Sequence, residues 1–99
     1  MDLFAIRRRN EWKTPEDLEK TAARSKEIGD GEMSDQVRWI RSYVLDDGDS
    51  LGTVCIYEAV SADALREHAK RVGMPADEIT PIVDTVIVRP DPQPSAATP

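Results

Sequence analysis

The single histidine and a glutamate near it are the residues of this sequence best suited to chemistry. His68 is the one side chain whose ordinary pKa lies near neutrality, so it could bind a metal ion or transfer a proton. Its spacing with Leu65 and Val72 also fits a partly buried helix residue with one hydrogen-bonded ring nitrogen. Glu58 could be a metal ligand or a general base beside His68. It could equally accept backbone N–H groups at the start of the following helix.

Cys55 is the only cysteine in the sequence, which limits the available chemistry. One cysteine excludes an intramolecular disulfide, a four-cysteine zinc site and an iron–sulfur cluster. A cysteine-nucleophile hydrolase is disfavoured because there is no Cys-x-x-Cys motif and one histidine completes no clear Cys–His–Asn triad. As an alternative to metal binding, Cys55 would be a small apolar residue at the centre of a sheet.

Three aromatic residues and one arginine form a second candidate site, for a ligand. Alternation along two adjacent strands predicts that they share one face of a sheet, together with Cys55. A guanidinium flanked by aromatic rings can bind the carboxylate or phosphate of a ligand. An ion pair across a dimer interface is the equal alternative for this arginine. The four predicted ligand-binding residues are Trp39, Arg41, Tyr43 and Tyr57.

The elements that must position these residues follow a regular order. Period-two alternation predicts the strands, small polar residues and a proline predict the helix starts, and glycines predict the helix ends. The Asp47-Gly48 step predicts a hairpin between the two middle strands. The predicted strands are Leu3–Arg9, Gln36–Leu45, Leu51–Ala59 and Ile82–Val88, and the predicted helices run from Pro15 to about Ile28, with Gly29 as the stop, and between the Ser61 cap and Gly73. The order β-α-β-β-α-β predicts an α+β, ferredoxin-like fold: a four-stranded antiparallel sheet with two helices on one face.

The sheet of this predicted fold has one face without helices. The aliphatic residues Ile40, Val44, Val54 and Ile56 are expected to back the helices, and alternation places Glu58 with them. The aromatic residues then lie on the uncovered face. An apolar face of this kind needs a partner. We therefore expect a homodimer in which two sheets close into a dimeric α+β barrel.

Composition and charge exclude several classes of protein. The 99 residues suit one domain, expected to span residues 1–89, and the Pro-rich residues 90–99 are expected to be a disordered tail. A net charge of −6 argues against nucleic acid as a partner. No stretch approaches the roughly 18 apolar residues of a membrane helix, so no membrane partner is expected. The N-terminal residues lack the pattern of a signal peptide, which predicts a cytoplasmic protein.

Four stretches of the sequence resemble one bacterial family. They are Val37–Val44, Cys55–Ala59, Leu65–Ala69 and Gly73–Ile79. Over about Leu3 to Val88 the chain is similar to a domain family of unknown function that includes the streptomycete nickel-binding proteins. The resemblance implies a ferredoxin-like fold, a dimeric α+β barrel and a divalent transition metal, Ni²⁺ or Zn²⁺. His68 matches one of the histidines of the nickel-binding branch, and a site formed by His68, Cys55 and the carboxylate of Glu58 is chemically possible because imidazole and thiolate suit both ions.

Two functions from different classes remain open. The first is a small dimeric binding protein that holds a transition metal ion or a small anionic ligand on the open sheet face, with no other cofactor. The second is a small dimeric α+β barrel enzyme, such as a cofactor-free oxygenase or isomerase. In the enzyme the aromatic pocket with Arg41 would hold the substrate, and His68 or Glu58 would move protons. The absence of a strong catalytic motif from the sequence favours the binding protein.

Overall fold

The computed structural model describes residues 1–92 of the chain. Its elements follow the predicted order, and within the described part no helix is long and apolar enough to cross a membrane. The elements are β1 (Asp2–Trp12), α1 (Pro15–Asp30), β2 (Val37–Asp46), β3 (Leu51–Ala59), α2 (Ala62–Val72) and β4 (Glu78–Pro81).

Both helices begin at the predicted capping residues. The Thr14 side chain accepts the N–H of Asp17 in α1, and the Ser61 side chain accepts the N–H of Ala64 in α2. These bonds satisfy backbone donors that the first turn of a helix leaves open. Helix α2 ends at Gly73, whose φ of 90° is the left-handed conformation that glycine adopts at low cost. The sequence therefore determined both helix starts and the end of α2.

Helix α1 extends beyond its predicted end. It continues to Asp30 and is capped by Gly31, whereas the sequence predicted a stop at Gly29. Gly29 is instead a buried residue of the helix, and a Cβ atom at this position would lie 3.5 Å from Nε2 of His68 in α2. Gly29 is therefore an interior position of the helix at its contact with α2 and not the end of the helix, and a Cβ atom there would make only an ordinary contact.

The sheet and helices confirm the ferredoxin-like fold. The strand order is β2-β3-β1-β4, and each neighbouring pair is antiparallel. Both helices contact the same residue of β3: Tyr57 is hydrogen-bonded through its hydroxyl to Ser25 of α1 at 3.2 Å, and its ring lies edge-on to His68 of α2. The two helices therefore cover one face of a four-stranded antiparallel sheet, as predicted.

Cross-strand pairing defines the two faces of this sheet. In an antiparallel pair, residues directly opposite each other point to the same face. Phe4 stands opposite Tyr57 and Ile6 opposite Cys55, and all four are buried. In β1 and β3 the helix-side face carries Phe4, Ile6, Arg8, Thr53, Cys55, Tyr57 and Ala59, and the open face carries Leu3, Ala5, Arg7, Val54, Ile56 and Glu58.

The predicted orientation of β3 is therefore wrong. Val54, Ile56 and Glu58 were expected to back the helices, but they lie half-buried on the open face, and Tyr57 lies in the core. Both faces of β3 carry apolar residues, so alternation separated the faces without showing which one is inside. Tyr57 is buried at low cost because its hydroxyl has Ser25 as a hydrogen-bond partner.

A register shift in β2 divides the predicted ligand-binding residues between the two faces. Trp39 pairs with Tyr57, but Arg41 pairs with Ile56, because the register shifts between them. Trp39 therefore lies on the helix-side face, whereas Arg41 and Tyr43 lie on the open face. The same shift leaves Ile40 exposed at 43% instead of packed beneath the helices. The prediction that Trp39, Arg41 and Tyr43 share one face assumed uniform alternation along β2, which the register shift interrupts.

The fourth strand does not form where the sequence predicted it. Strand β4 covers Glu78–Pro81, whereas the β-branched run Ile82–Val88 was the predicted strand. In the observed register Pro81 stands opposite Phe4, and the N–H of Ile82 donates to the carbonyl of Leu3. Because β1 begins at Asp2, it has almost no backbone left with which the β-branched run could pair. Strand propensity without a pairing edge does not make a strand.

The segment after Ile82 returns across the open face. Asp91 accepts hydrogen bonds from Arg41 at 2.7 Å and from the hydroxyl of Tyr43 at 2.8 Å. The predicted disordered tail, residues 90–99, lies mostly outside the described residues, which include only its positions 90–92. The predicted domain boundary at residue 89 therefore stays a prediction.

Candidate ligand-binding site

A cavity of about 290 Å³ lies between the helix-side face of the sheet and helix α1. Its walls are mostly apolar. Three of the residues that the sequence singled out line it, namely Trp39, Cys55 and Tyr57. Its other lining residues include Arg8, Trp12, Leu18, Ala22, Val44 and Met74.

Among the described residues, Arg8 is the only cation in the wall of this cavity. Its side chain is buried, with 2% of the residue exposed. Nε donates to the carbonyl of Pro75 at 2.7 Å, and Nη1 donates to the sulfur of Cys55 at 3.4 Å. Nη2 is buried and has no hydrogen-bond partner among residues 1–92. An unpartnered buried N–H of a charged group carries a substantial desolvation cost.

The neighbours of Arg8 in the sequence are neutralised by carboxylates. Arg7 forms an ion pair with Asp47 at 2.7 Å, and Arg9 forms one with Glu78 at 2.8 Å. Within the described part of the chain, Arg8 has no carboxylate at ion-pair distance. Of three consecutive arginines, the buried one thus lacks a counter-ion.

His68 and Tyr57 form a hydrogen-bonded cluster beside the cavity. The Nε2–H of His68 donates to the carbonyl of Ser25 at 3.0 Å, and the Ser25 hydroxyl is hydrogen-bonded to Tyr57. Burial lowers the pKa of His68 below its ordinary value, and the nearby charges of Arg8 and Arg71 act in the same direction. Burial raises the pKa of Tyr57 above its ordinary value. Both groups are therefore neutral at pH 7.

The remaining predicted site residues lie on the open face. Arg41 and Tyr43 are held together by Asp91, as described above. Glu58 forms an ion pair with Arg38 at 3.3 Å on the solvent side of the sheet. It does not contact the start of α2, where the cap is Ser61. The structure thus brings Trp39 and Tyr57 together on one face, and Arg41 and Tyr43 together on the other.

The three predicted metal ligands are not brought together within one chain. Cys55 and His68 lie on the helix side, and Glu58 lies across the sheet from them. His68 already uses Nε2 for the Ser25 carbonyl, and Cys55 is hydrogen-bonded to Thr53 and Arg8. Over residues 1–92 no group of three or more histidine, cysteine, aspartate or glutamate side chains is placed to hold a metal ion. The donors of a single described chain do not fit a closed nickel site.

Arg8 was not predicted as a site residue, although the sequence contained the signal. Alternation along the predicted first strand places Arg8 on the face opposite Arg7 and Arg9, which is the face of Phe4 and Ile6. A charged residue in phase with the apolar residues of a strand is either an error in the strand assignment or a buried charge. The structure shows that it is a buried charge.

Comparisons with known proteins agree with this fold. The family model described as "Nickel responsive protein SCO4226-like" matches residues 4–82. The crystal structure of SCO4226 from Streptomyces coelicolor A3(2) is similar, with a TM-score of 0.69 and 21% sequence identity over 85% of this chain and 99% of that chain. A search of curated proteins found no match. At this identity the structural likeness shows the fold alone, but the family match covers most of the chain. The chain therefore belongs to the SCO4226-like family of nickel-responsive proteins.

Proposed function

We propose that this protein is a small binding protein that acts as a homodimer, with two copies packed through their open sheet faces. The observation that carries this proposal is the apolar surface that stays exposed on that face beside the returning segment. Ile40 and Tyr43 are each 43% exposed there, and no helix of the described chain lies over them. Large apolar patches of this kind mark interaction sites.

The segment that follows β4 adds to this surface. Val83, Val86, Ile87 and Val88 have exposures between 75% and 97%. Val86 and Ile87, together with the open face, border an open cavity of about 1050 Å³. Beyond Ile82 no backbone hydrogen bond joins this segment to the rest of residues 1–92. A β-branched segment without a pairing edge is suited to packing on, or pairing with, another sheet.

A second copy of the chain is the partner that fits this surface. In a two-fold dimer the same patch meets itself, so each open face and each exposed segment finds apolar surface on the other copy. The rim is polar and includes the cluster in which Asp91 accepts hydrogen bonds from Arg41 and from the hydroxyl of Tyr43. An apolar centre with a polar rim is the usual anatomy of an interface.

Binding rather than catalysis is supported by the state of the reactive side chains. Within the described residues His68 hydrogen-bonds only to a backbone carbonyl, and burial keeps it neutral. Cys55 has Arg8 and Thr53 as partners and no histidine. A nucleophile or general base would need a partner that orients it and a path to a substrate proton.

The dimer is tested by sedimentation of wild type and of two glutamate variants at micromolar concentration. Ile40→Glu places a charge in the proposed interface and should shift the protein from dimer to monomer. Val44→Glu is the matched control: Val44 is 53% exposed in the same strand but pairs with Thr53 on the opposite face, so this variant should stay dimeric. A monomeric wild type would overturn the proposal.

Nickel is a candidate ligand of the proposed binding protein, and the description of the family favours it. Because one chain brings no suitable donors together, any ligand set would need a second copy, and we assign none. Titration of the dimer with Ni²⁺ alone tests this candidate. Affinity better than millimolar, falling as the pH drops through about 6.5, would support an imidazole ligand. Unchanged affinity in both His68→Ala and Glu58→Gln would exclude these side chains as ligands.

A further inference from the structure

We infer that the cavity on the helix side of the sheet binds a small monocarboxylate with an apolar body about the size of one ring, and that Arg8 binds its carboxylate. The site lies on the opposite side of the sheet from the open face. It requires no residue beyond those already in the cavity wall.

The charge of the ligand follows from Arg8. A guanidinium stays protonated in proteins, so Arg8 is a buried cation with no carboxylate partner in the described chain. Its Nε and Nη1 are occupied, and Nη2 carries unused hydrogens. A carboxylate is the group whose geometry matches a guanidinium edge, and the resulting charge-assisted bonds would offset the desolvation of both ions.

The other buried polar side chains of the wall are already satisfied within residues 1–92. The indole N–H of Trp12 donates to Thr21 at 3.0 Å, and that of Trp39 donates to Ser42 at 2.8 Å. The hydroxyl of Tyr57 is hydrogen-bonded to Ser25 at 3.2 Å. Arg8 Nη2 is the one buried side-chain nitrogen or oxygen without a partner in residues 1–92. A ligand therefore has one polar anchor, at Arg8, and apolar contacts elsewhere.

The size of the cavity limits the body of the ligand. Its volume of about 290 Å³ is roughly twice that of a cavity that takes up benzene, about 150 Å³. This leaves space for one ring and a carboxylate but not for a nucleotide or a long chain. The walls formed by Trp12, Leu18, Trp39 and Met74 suit a flat apolar body.

A single negative charge fits better than two. One guanidinium neutralises one carboxylate, and the cavity wall holds no second cation. A phosphate monoester would bring a second negative charge into an apolar cavity that also has Glu19 in its lining. Burial of that unpaired charge would be costly.

Calorimetric titration of the wild-type protein with three probes tests the inference. Benzoate carries the predicted charge and ring, benzamide is its neutral isostere, and phenyl phosphate is the dianion. Benzoate should bind at least about tenfold more tightly than benzamide, the factor expected for one charge-assisted hydrogen bond. Equal affinities for benzoate and benzamide, or tighter binding of phenyl phosphate, would overturn the inference, as would no binding of benzoate at millimolar concentration.

Two variants assign the effect to Arg8. Arg8→Met removes the charge and keeps the length of the side chain, and it should abolish the preference for benzoate over benzamide. Arg9→Met makes the same change on the adjacent, exposed residue and should leave benzoate affinity unchanged. Thermal melts without ligand separate a binding role from a structural one. A ligand-binding Arg8 is an uncompensated buried charge, so Arg8→Met should melt no lower than wild type. If this variant does not fold, Arg8→Lys replaces it and should weaken benzoate binding at unchanged charge.

Discussion

Acidification should destabilise this protein through His68, at pH values above those at which carboxylates titrate. In the folded state the imidazole is buried against Tyr57 and donates to the Ser25 carbonyl, and burial lowers its pKa. In the unfolded state its pKa is about 6.5. Between these two values the unfolded chain binds more protons, so the free energy of unfolding falls as the pH drops. The contribution of His68 is fully present above about pH 6.5 and is lost below it.

The size of this effect is limited by the number of protons involved. One histidine gives a slope of at most about 1.4 kcal/mol per pH unit. For a domain of this length, each kcal/mol corresponds to roughly 4–8 °C in Tm. The charges acting on His68 from packed elements are Arg8 of β1 and Arg71 of α2, and both oppose its protonation. The hydrogen bond to the Ser25 carbonyl acts in the other direction and favours the protonated ring, but burial outweighs it, so the pKa of His68 stays lowered.

Urea denaturation of metal-free protein at a series of pH values between about 7.5 and 5 measures the slope. His68→Gln is the comparison variant because an amide can still donate a hydrogen bond but does not titrate. It should lose about 1–3 kcal/mol of stability at pH 7.5, as is usual for a changed buried polar residue, and should show almost no slope in this range. The lowered carboxylate pKa values of Asp47, Glu67 and Glu78 act at lower pH in both proteins. If wild type and His68→Gln lose stability in parallel above pH 5, the reasoning is wrong.

Two further predictions concern local stability. Gly29→Ala should raise the free energy of unfolding by about 0.5–1 kcal/mol, because the new Cβ meets only an ordinary contact at 3.5 Å and glycine is a poor helix residue. Gly31→Ala should destabilise instead, since its Cβ would lie 2.9 Å from the carbonyl of Glu27, and urea denaturation of both variants compares them. Truncation before Pro90 should cost less than about 1 kcal/mol, because the Arg41–Asp91 ion pair that it removes is solvent-exposed. A larger drop in Tm would contradict that expectation.

The order of the elements was largely determined by local sequence. The caps Thr14 and Ser61, the end at Gly73 and the hairpin at Asp47-Gly48 are all observed as predicted. These features depend on backbone donors, φ angles and turn geometry within a few residues of the chain. They need no information about what the element packs against, which is why the ferredoxin-like order could be predicted.

The lining of the cavity was predicted in part. The sequence placed Trp39, Tyr57 and Cys55 beside an arginine on the open face, and these three line one cavity, but on the helix side of the sheet. The arginine is Arg8 rather than Arg41, because the register shift in β2 moves Arg41 to the other face. A strand with one register shift looks almost the same in sequence as a strand that alternates regularly.

The inner face of the sheet and the position of the last strand were decided by tertiary structure. Both faces of β3 are apolar enough to be buried, and pairing with Phe4 and Ile6 selects the one that contains Tyr57. The run Ile82–Val88 has the stronger strand propensity, but the register brings Glu78–Pro81 to the edge of β1. Which face is buried and which residues pair both depend on contacts with residues distant in the chain. Alternation in the sequence therefore determines that Arg8 lies on the opposite face of the sheet from Arg7, and Tyr57 on the opposite face from Ile56. Only the packing of the helices determines that the face of Arg8 and Tyr57 is the buried one.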